Sequence, residues 1–275
     1  MSNNFRADLH VHSLFSDGTD TPEELIDAAI QKNLGGLSIT DHDTIEAYKR
    51  AKPYAESRNF PLLLGVEFST VFRTESIHVL CYGFSLESQE IVQLCERHQK
   101  RRLQRNSRIL DKLKGLHIHI EDKDVKPLVL GGCIGRPHIA LALIRKGVVS
   151  SVKEAFQKYL GERRPAYDPG EAISLEETLD CIRKGGGKAI LAHPTLIIRK
   201  RLLKDLLEMP FDGLEGYYCL LSAQEEEPLI KKAREKGWIV TGGSDYHGTI
   251  KPHIPLGCSW VNEETFRLLY GFKAS

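Results

Sequence analysis

Near the start of the chain, residues 7–13 have the sequence Ala-Asp-Leu-His-Val-His-Ser, in which two histidines are separated by one apolar residue. The run predicts a short β-strand over Ala7–His12. Because successive side chains of a strand point to opposite faces, His10 and His12 lie on the same face. Such a pair is weak evidence for a metal site unless the rest of the chain supplies further ligands.

Six further short apolar runs alternate with segments of helical pattern. The predicted strands are Gly36–Thr40, Leu62–Val66, Ile77–Tyr82, Lys188–Ala192, Gly213–Tyr217 and Trp238–Thr241. Capping-box patterns at Thr21–Glu24 and Ser174–Glu177 mark two helix starts, and Gly185–Gly187 ends the second helix. This alternation is typical of a mostly parallel sheet, so we predict an α/β fold, a distorted seven-stranded relative of the β/α barrel.

The stretch between Tyr82 and Lys188 breaks the alternation, because it contains no convincing buried strand. It predicts a long charged helix at 87–114, the loop 131–138 (GGCIGRPH), and helices near Ile139–Lys146 and Val152–Leu160. We expect residues 88–165 to form an inserted helical subdomain, a lid over a barrel built from residues 1–87 and 166–275.

Composition excludes several classes of protein. The chain has 275 residues, with 38 Lys and Arg against 37 Asp and Glu, so no overall charge indicates a nucleic-acid or membrane partner. Its six cysteines contain no C-x-x-C pair, which argues against a zinc ribbon or a disulfide framework and fits a reducing compartment. No apolar run approaches the ~18 residues of a membrane span. We expect a cytoplasmic protein without a membrane association or an obligate protein partner.

Polar side chains follow the predicted strands at the points where the strands end. They are Asp41, His42 and Asp43 after the second strand, Glu67 after the third, His193 after the fifth, and Asp245 and His247 after the seventh. In barrels of parallel strands these ends meet at one rim. Imidazole and carboxylate ligands without thiolate suit Zn, Mn or Fe, and their number indicates more than one ion, with Glu67 as a bridge. His78 fits less well, because it lies near the start of its strand.

The ordered motifs of the chain resemble those of the PHP (polymerase and histidinol phosphatase) family. They are Asp8–Ser13, Ser16–Gly18, Thr40–His42, Gly65–Glu67, Ala192–Pro194 and Gly243–His247. Within the insert, Gly135–His138 and Tyr159–Gly161 resemble the nucleoside 3′,5′-bisphosphate phosphatases and the related 5′–3′ exoribonucleases. The resemblance implies a metal-dependent phosphoesterase with two to three divalent ions (Mn, Zn or Fe, with Mg as a further candidate).

The resemblance also implies which residues act. One ion would bind His10, His12, Glu67 and Asp245; a second would bind Glu67, His78 and His193; a third would bind Asp17, His42 and His247. Of these, Asp17, His42, Glu67, His193, Asp245 and His247 are implied as catalytic. Water activated by the ions would attack phosphorus, so no nucleophilic Ser or Cys is required.

Basic residues of the insert are candidate substrate ligands. Arg136 and His138 lie on a glycine-rich loop that opens a helix, a geometry suited to an anion. Arg101 and Arg105 share one helix face with Arg97 and Arg108, which is either a solvated face or a basic wall that guides a nucleotide. We expect a small nucleotide that carries two phosphates, or the 5′ end of a short RNA.

Several neighbouring residues have less certain roles. Asp41 and Asp43 flank His42 and are expected to orient ligands, whereas Glu215 is either an orienting residue or a simple polar strand end. His98 and His253 are expected at the surface, as are the paired His117 and His119 in the insert.

Two other functions remain open at this stage. An amidohydrolase-type metal hydrolase also begins with H-x-H on its first strand, although it does not require Asp17 and His42. A non-catalytic nucleotide-binding or polymerase-accessory module would be marked by lost ligands, and no ligand position is lost here.

Overall fold

The structure is a computed structural model that describes residues 5–128 and 134–271. Seven strands form one sheet in the order β1 to β7. They are β1 (Ala7–Val11), β2 (Gly36–Ile39), β3 (Leu62–Phe72), β4 (Glu75–Tyr82), β5 (Lys188–Leu191), β6 (Gly213–Tyr218) and β7 (Ile239–Gly243). Each of the seven predicted strands is therefore present.

Helices occupy most of the connections between the strands. They are α1 (Pro22–Gln31), α2 (Tyr48–Ser57), α3 (Gln89–Gly115), α4 (Asp122–Val125), α5 (Arg136–Arg145), α6 (Val152–Ala155), α7 (Leu175–Lys184), α8 (Lys200–Leu206), α9 (Ala223–Glu235) and α10 (Glu263–Tyr270). The capping box that the sequence predicts at Thr21 is formed, because Thr21 and Glu24 each bind the backbone N–H of the other. Ser174 likewise caps α7, which ends at Gly185.

The sheet is parallel except at β4, which runs antiparallel to both of its neighbours, β3 and β5. Only Arg73 and Thr74 separate β3 from β4, and a two-residue connection can join only antiparallel strands. The start of β4 therefore lies at the same edge of the sheet as the ends of β1, β3 and β5. This direction explains why His78 comes early in its strand and yet reaches the rim.

The two outer strands approach each other and nearly close the sheet into a barrel. The Asp245 N–H donates to the His10 carbonyl at 2.8 Å, and the His12 N–H donates to the Tyr246 carbonyl at 2.9 Å. Gly243 permits this contact, since a Cβ there would lie 2.4 Å from the His10 backbone nitrogen. The predicted distorted seven-stranded barrel is confirmed, with β4 as the correction to its parallel order.

The helices between β4 and α7 have a hydrophobic core of their own. Ile109, Leu113, Ile139, Leu143 and Leu160 are among its buried members. The first part of α3 belongs instead to the barrel, where Ile91 and Leu94 pack in the core of the sheet. Helix α3 thus crosses the predicted boundary of the insert, and the division at residue 88 stays a prediction. Of the predicted loop 131–138, residues 131–133 lie outside the described residues.

The cysteine prediction needs one correction. Cys219 and Cys258 form a disulfide although they are 39 positions apart in sequence. The fold brings the residue after β6 next to the segment that leads into α10, and cysteine spacing carries no signal of that contact. Within residues 5–128 and 134–271, we find no helix whose length and apolar character would let it cross a membrane.

We expect Gly243→Ala to destabilise the protein, because the new methyl group would overlap the backbone of β1. A loss of roughly 1–3 kcal/mol in the free energy of unfolding is typical of such overpacking. Gly115→Ala is the matched control, since a Cβ there meets nothing within 4 Å. Chemical denaturation should show that the control is not destabilised. Its free energy of unfolding should rise by up to about 1 kcal/mol, because alanine favours a helix more than glycine does. Equal effects of the two substitutions would contradict this account of barrel closure.

Candidate metal centre

All nine side chains that the sequence nominates as metal ligands meet at the rim where β4 begins and the other strands end. Glu67 is their centre. One carboxylate oxygen, Oε1, lies 2.9 Å from His78 Nδ1 and 3.0 Å from His193 Nε2. The other, Oε2, lies 3.1 Å from His42 Nδ1 and 3.2–3.3 Å from the Nε2 atoms of His12 and His10. This arrangement suits a carboxylate that bridges two ions.

Asp17, Asp245 and His247 complete the cluster beside the two histidines of β1. His247 Nε2 lies 3.4 Å from Asp17 Oδ1, and His12 Nε2 lies 3.3 Å from Asp245 Oδ1. Three groups have ligand atoms within 4.8 Å of one another. They are His12–Asp17–His42–His247, His10–His12–Glu67 and His42–Glu67–His78.

Electrostatic coupling sets the protonation of the cluster. Burial alone would raise the pKa of Glu67, but the histidines around it, led by His42, hold that pKa well below its usual range. Burial alone would lower the pKa of His12, but the neighbouring carboxylates of Asp245 and Glu67 raise that pKa to about 9. Burial lowers the pKa of His42 to about 3. Since metals bind imidazole in its neutral form, an ion entering this cluster has to displace the proton of His12.

The donor set fits divalent metal ions. Glu67 Oε2, Asp17 Oδ1 and His42 Nδ1 are buried and have no hydrogen-bond partner among the described residues. Buried polar atoms normally have a partner, so each such atom requires an explanation. Glu67 Oε2 and His42 Nδ1 lie 3.1 Å apart, and Asp17 Oδ1 lies 3.4 Å from His247 Nε2, so cations bound within these groups would satisfy the three atoms. Nitrogen and oxygen donors without thiolate match Zn, Mn or Fe.

Glu215 is an orienting residue, which the sequence left open. Its side chain is fully buried; Oε1 accepts from His10 Nδ1 at 2.9 Å, and Oε2 accepts from the His193 backbone N–H at 2.8 Å. A carboxylate on one imidazole nitrogen fixes the tautomer that leaves the other nitrogen for a metal. Glu215 therefore positions two predicted ligands at once.

Asp41 and Asp43 form no hydrogen bond with the His42 ring among the described residues, so neither orients that ring directly. Asp41 accepts from Ser13 and Ser16, and Ser16 Oγ lies 3.3 Å from His12 Nδ1. Asp43 turns the other way and binds Arg102 of α3. Their place beside His42 gave no information on where a strand-end loop turns each side chain.

Tyr218 and Lys251 belong to the site although the sequence analysis did not identify them. Both hold the outer oxygen of Asp245: the Tyr218 hydroxyl donates to Oδ2 at 2.8 Å and Lys251 Nζ at 2.7 Å. Oδ1 is left facing the histidines. Tyr218 ends β6 and could have been found as a strand-end residue, whereas Lys251 lies on a loop without a recognisable motif.

A cavity of about 360 Å³ adjoins the cluster on the side of the insert. Asp17, His42 and His78 form one wall, and the opposite wall is basic. The basic residues are Arg101, Arg102, Arg105 and Arg136. The predicted substrate ligands Arg101, Arg105 and Arg136 are thus brought together beside the predicted metal ligands.

The default expectation for Arg101 and Arg105, a solvated helix face, was wrong. Both are less than 8% exposed. Arg101 donates to the backbone carbonyls of Pro169 and Glu171, which carry no charge to neutralise it. Arg105 Nε and Nη2 have no hydrogen-bond partner among the described residues, and burial together with the neighbouring guanidinium groups lowers the pKa of Arg105 to about 9. Arg97 and Arg108, by contrast, do not line this cavity and pair with Glu177 and Asp168.

The loop that opens α5 supplies the remaining two candidates. Arg136 lies between two aromatic rings, with its guanidinium carbon 5.7 Å from the Phe156 centroid and 5.5 Å from that of Tyr167. His138 is buried, and its Nδ1 accepts from the Gly135 N–H at 3.0 Å, so a neutral ring carries its proton on Nε2. His138 lines a second, smaller cavity of about 90 Å³ that also contains Asp17.

Four further histidines were predicted to lie at the surface, and the prediction is correct for three of them. His98 was expected at the surface, but it is fully buried, stacks on Phe68 and lies 3.2 Å from Asp43 Oδ1. Its place on a charged helix hid the fact that this helix turns a charged face to the barrel. His117, His119 and His253 are exposed, as expected.

A nearly closed α/β barrel that collects nine His, Asp and Glu side chains at one opening defines a metal-dependent hydrolase. Comparison with known proteins gives the family. The PHP domain model matches residues 8–164. The 5′–3′ exoribonuclease Rnm of Escherichia coli K12 is 34% identical, over 91% of this chain and 87% of that protein.

Two further comparisons agree. The 3′,5′-nucleoside bisphosphate phosphatase of Chromobacterium violaceum is 30% identical over 87% of this chain and 86% of its own. A Bifidobacterium adolescentis protein of known structure, proposed to be a metal-dependent phosphoesterase, matches with a TM-score of 0.89 and 31% identity, covering 98% of this chain and 96% of that one. The chain belongs to the PHP domain family. It is a metal-dependent phosphoesterase, which the amidohydrolase and non-catalytic alternatives do not describe.

We expect Glu215→Gln to weaken metal binding without unfolding the protein. The amide retains an acceptor for the His193 N–H but loses the charge that orients His10. Removing such an orienting group typically costs roughly 10- to 100-fold in metal affinity. Calorimetric titration of the metal-free protein with Mn²⁺ measures the change, with the exposed Glu235→Gln as control. Wild-type affinity in Glu215→Gln would exclude the positioning role.

Proposed function

We propose that this protein hydrolyses a phosphate ester of a nucleotide that carries two phosphates, either a nucleoside 3′,5′-bisphosphate or the 5′ end of a short RNA. The observation that carries the proposal is the arginine-lined cavity beside the cluster. A phosphate undergoing cleavage would lie at the cluster, which leaves the cavity for a second anion. A phosphatase for simple monoesters would have no use for buried, unneutralised arginines there.

The charge balance of the cavity supports an anionic ligand. Of its four arginines, Arg102 is neutralised by Asp43. Asp168 also lines the cavity, but its carboxylate is engaged by Arg108 and Lys112. Arg105 has no carboxylate partner within reach among the described residues. Buried donors without partners are costly unless a ligand satisfies them, and phosphate oxygens match guanidinium groups well.

We further propose that two to three divalent ions occupy the cluster. His10, His12, Glu67 and Asp245 would hold the first, Glu67, His78 and His193 the second, and Asp17, His42 and His247 the third. The convergence of histidine nitrogens on both oxygens of Glu67 supports the first two sets, and the short distances around Asp17 support the last. When bound, such ions supply an activated water and neutralise charge on the phosphoryl oxygens.

The protein's own residues bind and orient the substrate. His42, His78 and His193 are the ligands whose side chains are 15–27% exposed, so the reacting phosphate would approach on their side. The arginine wall would fix the second phosphate at a set distance from them. The helices at 88–165 would act as a lid that carries this wall. Arg136 and His138 would be further hydrogen-bond donors to phosphate.

The substrate assignment is tested by comparing matched nucleotides. We expect kcat/KM for a nucleoside 3′,5′-bisphosphate to exceed that for the matching monophosphate by at least ~10-fold, the least that one charge-assisted contact should give. Activity should disappear in chelator and return with Mn²⁺. Equal rates on mono- and bisphosphates would refute the substrate but not the phosphoesterase activity.

Arg105→Met should have opposite effects on binding and on stability. Removing the charge should raise KM for the bisphosphate roughly 10- to 150-fold, as expected for ~1.5–3 kcal/mol of lost contact. It should also raise the free energy of unfolding by about 1–3 kcal/mol, because the unpaired buried donors disappear. Arg108→Met is the matched control and should leave KM unchanged, since Arg108 pairs with Asp168. A destabilised Arg105→Met variant with normal KM would mean that Arg105 has a structural role.

A further inference from the structure

We infer that residues 196–201, which comprise the end of the loop after β5 and the first two residues of α8 and are here called the rim loop, form a binding surface for the 3′ part of a single-stranded RNA. The inference rests on the proposed function and selects the oligonucleotide over the mononucleotide as the substrate that uses the whole site. Its sequence is Leu-Ile-Ile-Arg-Lys-Arg, an apolar segment followed by three cations.

The rim loop and the arginine cavity lie on different faces of β4. Strand β4 separates them, because Thr74, Ser76 and His78 line the cavity whereas Glu75 binds Arg199 of the loop. The turn Pro194–Leu196 directly follows the predicted ligand His193. A chain that leaves the cavity and crosses the cluster therefore meets the rim loop.

A row of imidazoles joins the two sides. The ring centroids of His42 and His78 are 5.0 Å apart, and those of His78 and His193 are 5.3 Å apart. These three side chains are also the more exposed histidines of the cluster. They mark an open track from the cavity to the rim loop, along which a backbone of successive phosphates could lie.

The apolar side chains of the rim loop are exposed. Ile198 is 93% and Leu196 54% exposed. Leu220, on the neighbouring loop after β6, is 69% exposed and has a φ of +70°. A left-handed backbone is costly for a leucine, and the exposed side chain of Leu220 buries no apolar surface that would offset this cost. Unstacked bases are a fitting partner, because their faces are apolar and require no specific hydrogen bond.

The charges of the rim loop complement a phosphate backbone. Arg199 is anchored to Glu75, but Lys200 and Arg201 are exposed and form no ion pair among the described residues. A basic surface can follow the phosphates of a single strand without sequence preference. A nucleoside bisphosphate has nothing to place here, since its two phosphates would occupy the cavity and the cluster.

The test uses the double variant Lys200→Ala/Arg201→Ala in the full-length protein. Fluorescence anisotropy in chelator measures binding of a short, 5′-phosphorylated oligoribonucleotide, so that binding is separated from hydrolysis. We expect affinity to fall about 10-fold and the salt dependence, as the slope of log K against log [salt], to weaken by about 1.4, or ~0.7 for each lost phosphate contact. With metal present, the ratio of kcat/KM for RNA to that for a nucleoside 3′,5′-bisphosphate should fall similarly.

Controls separate the contacts. Lys231→Ala/Lys232→Ala removes the same charge from two exposed positions of α9 outside the rim loop and should change neither quantity. Ile198→Ser should weaken binding of the RNA more than that of an abasic oligomer of equal length. Unchanged RNA affinity in the rim-loop variant, or equal losses on RNA and bisphosphate, would overturn the inference. RNA bound through the rim loop but never hydrolysed would overturn the oligonucleotide as the substrate, whereas loss of hydrolysis of both RNA and bisphosphate would refute the proposed function.

Discussion

One carboxylate, that of Glu67, has five imidazole nitrogens within 2.9–3.3 Å, and the rest of the architecture depends on this convergence. The five histidines come from β1, from the loop after β2, from β4 and from the residue after β5. No local element can bring them together, so the sheet must curve until its two outer strands meet. The backbone bonds of His10 and His12 to the segment after β7 complete that curvature. The candidate metal site can therefore form only when the barrel closes.

The same centre is linked to the insert through Asp43. This residue follows His42, has a φ of +58°, and accepts from the Ser69 N–H at 2.7 Å and from Arg102 Nε at 2.6 Å. The buried ion pair ties α3 to the loop that carries a predicted ligand. Such a pair contributes little net stability, but breaking it would leave a buried charge. The separation between the arginine wall and the cluster is thus fixed by the fold rather than by a flexible hinge.

Much of this could be predicted from the sequence, and the reasons for the rest are physical. Strand positions follow from local patterns, because an apolar run is visible within a few residues, and the predicted ligands follow from the resemblance of the strand-end motifs to those of the PHP family. The direction of β4 was missed, although the two residues between β3 and β4 could have revealed it. The burial of Arg105 and His98 could not be predicted, because charged helix faces are normally solvated and no local pattern shows that this face packs against the barrel. The Cys219–Cys258 disulfide depends on a long-range contact that no local pattern records.

The distribution of charge explains why the exceptions lie where they do. The cluster contains three acidic side chains that are predicted ligands, and the cavity beside it contains four arginines, of which Asp43 neutralises one, Arg102. Neither half is favourable on its own, since burial opposes the charged form of each group. A stable protein without a ligand would pair the two sets directly, yet the histidines stand between them and keep them apart. The separation leaves room for partners of the opposite sign: cations at the cluster and anions at the arginines. Under the proposed function, metal ions at the cluster and a second phosphate at the arginines would satisfy the two halves, and the unneutralised arginines would be a consequence of function rather than an imperfection of folding.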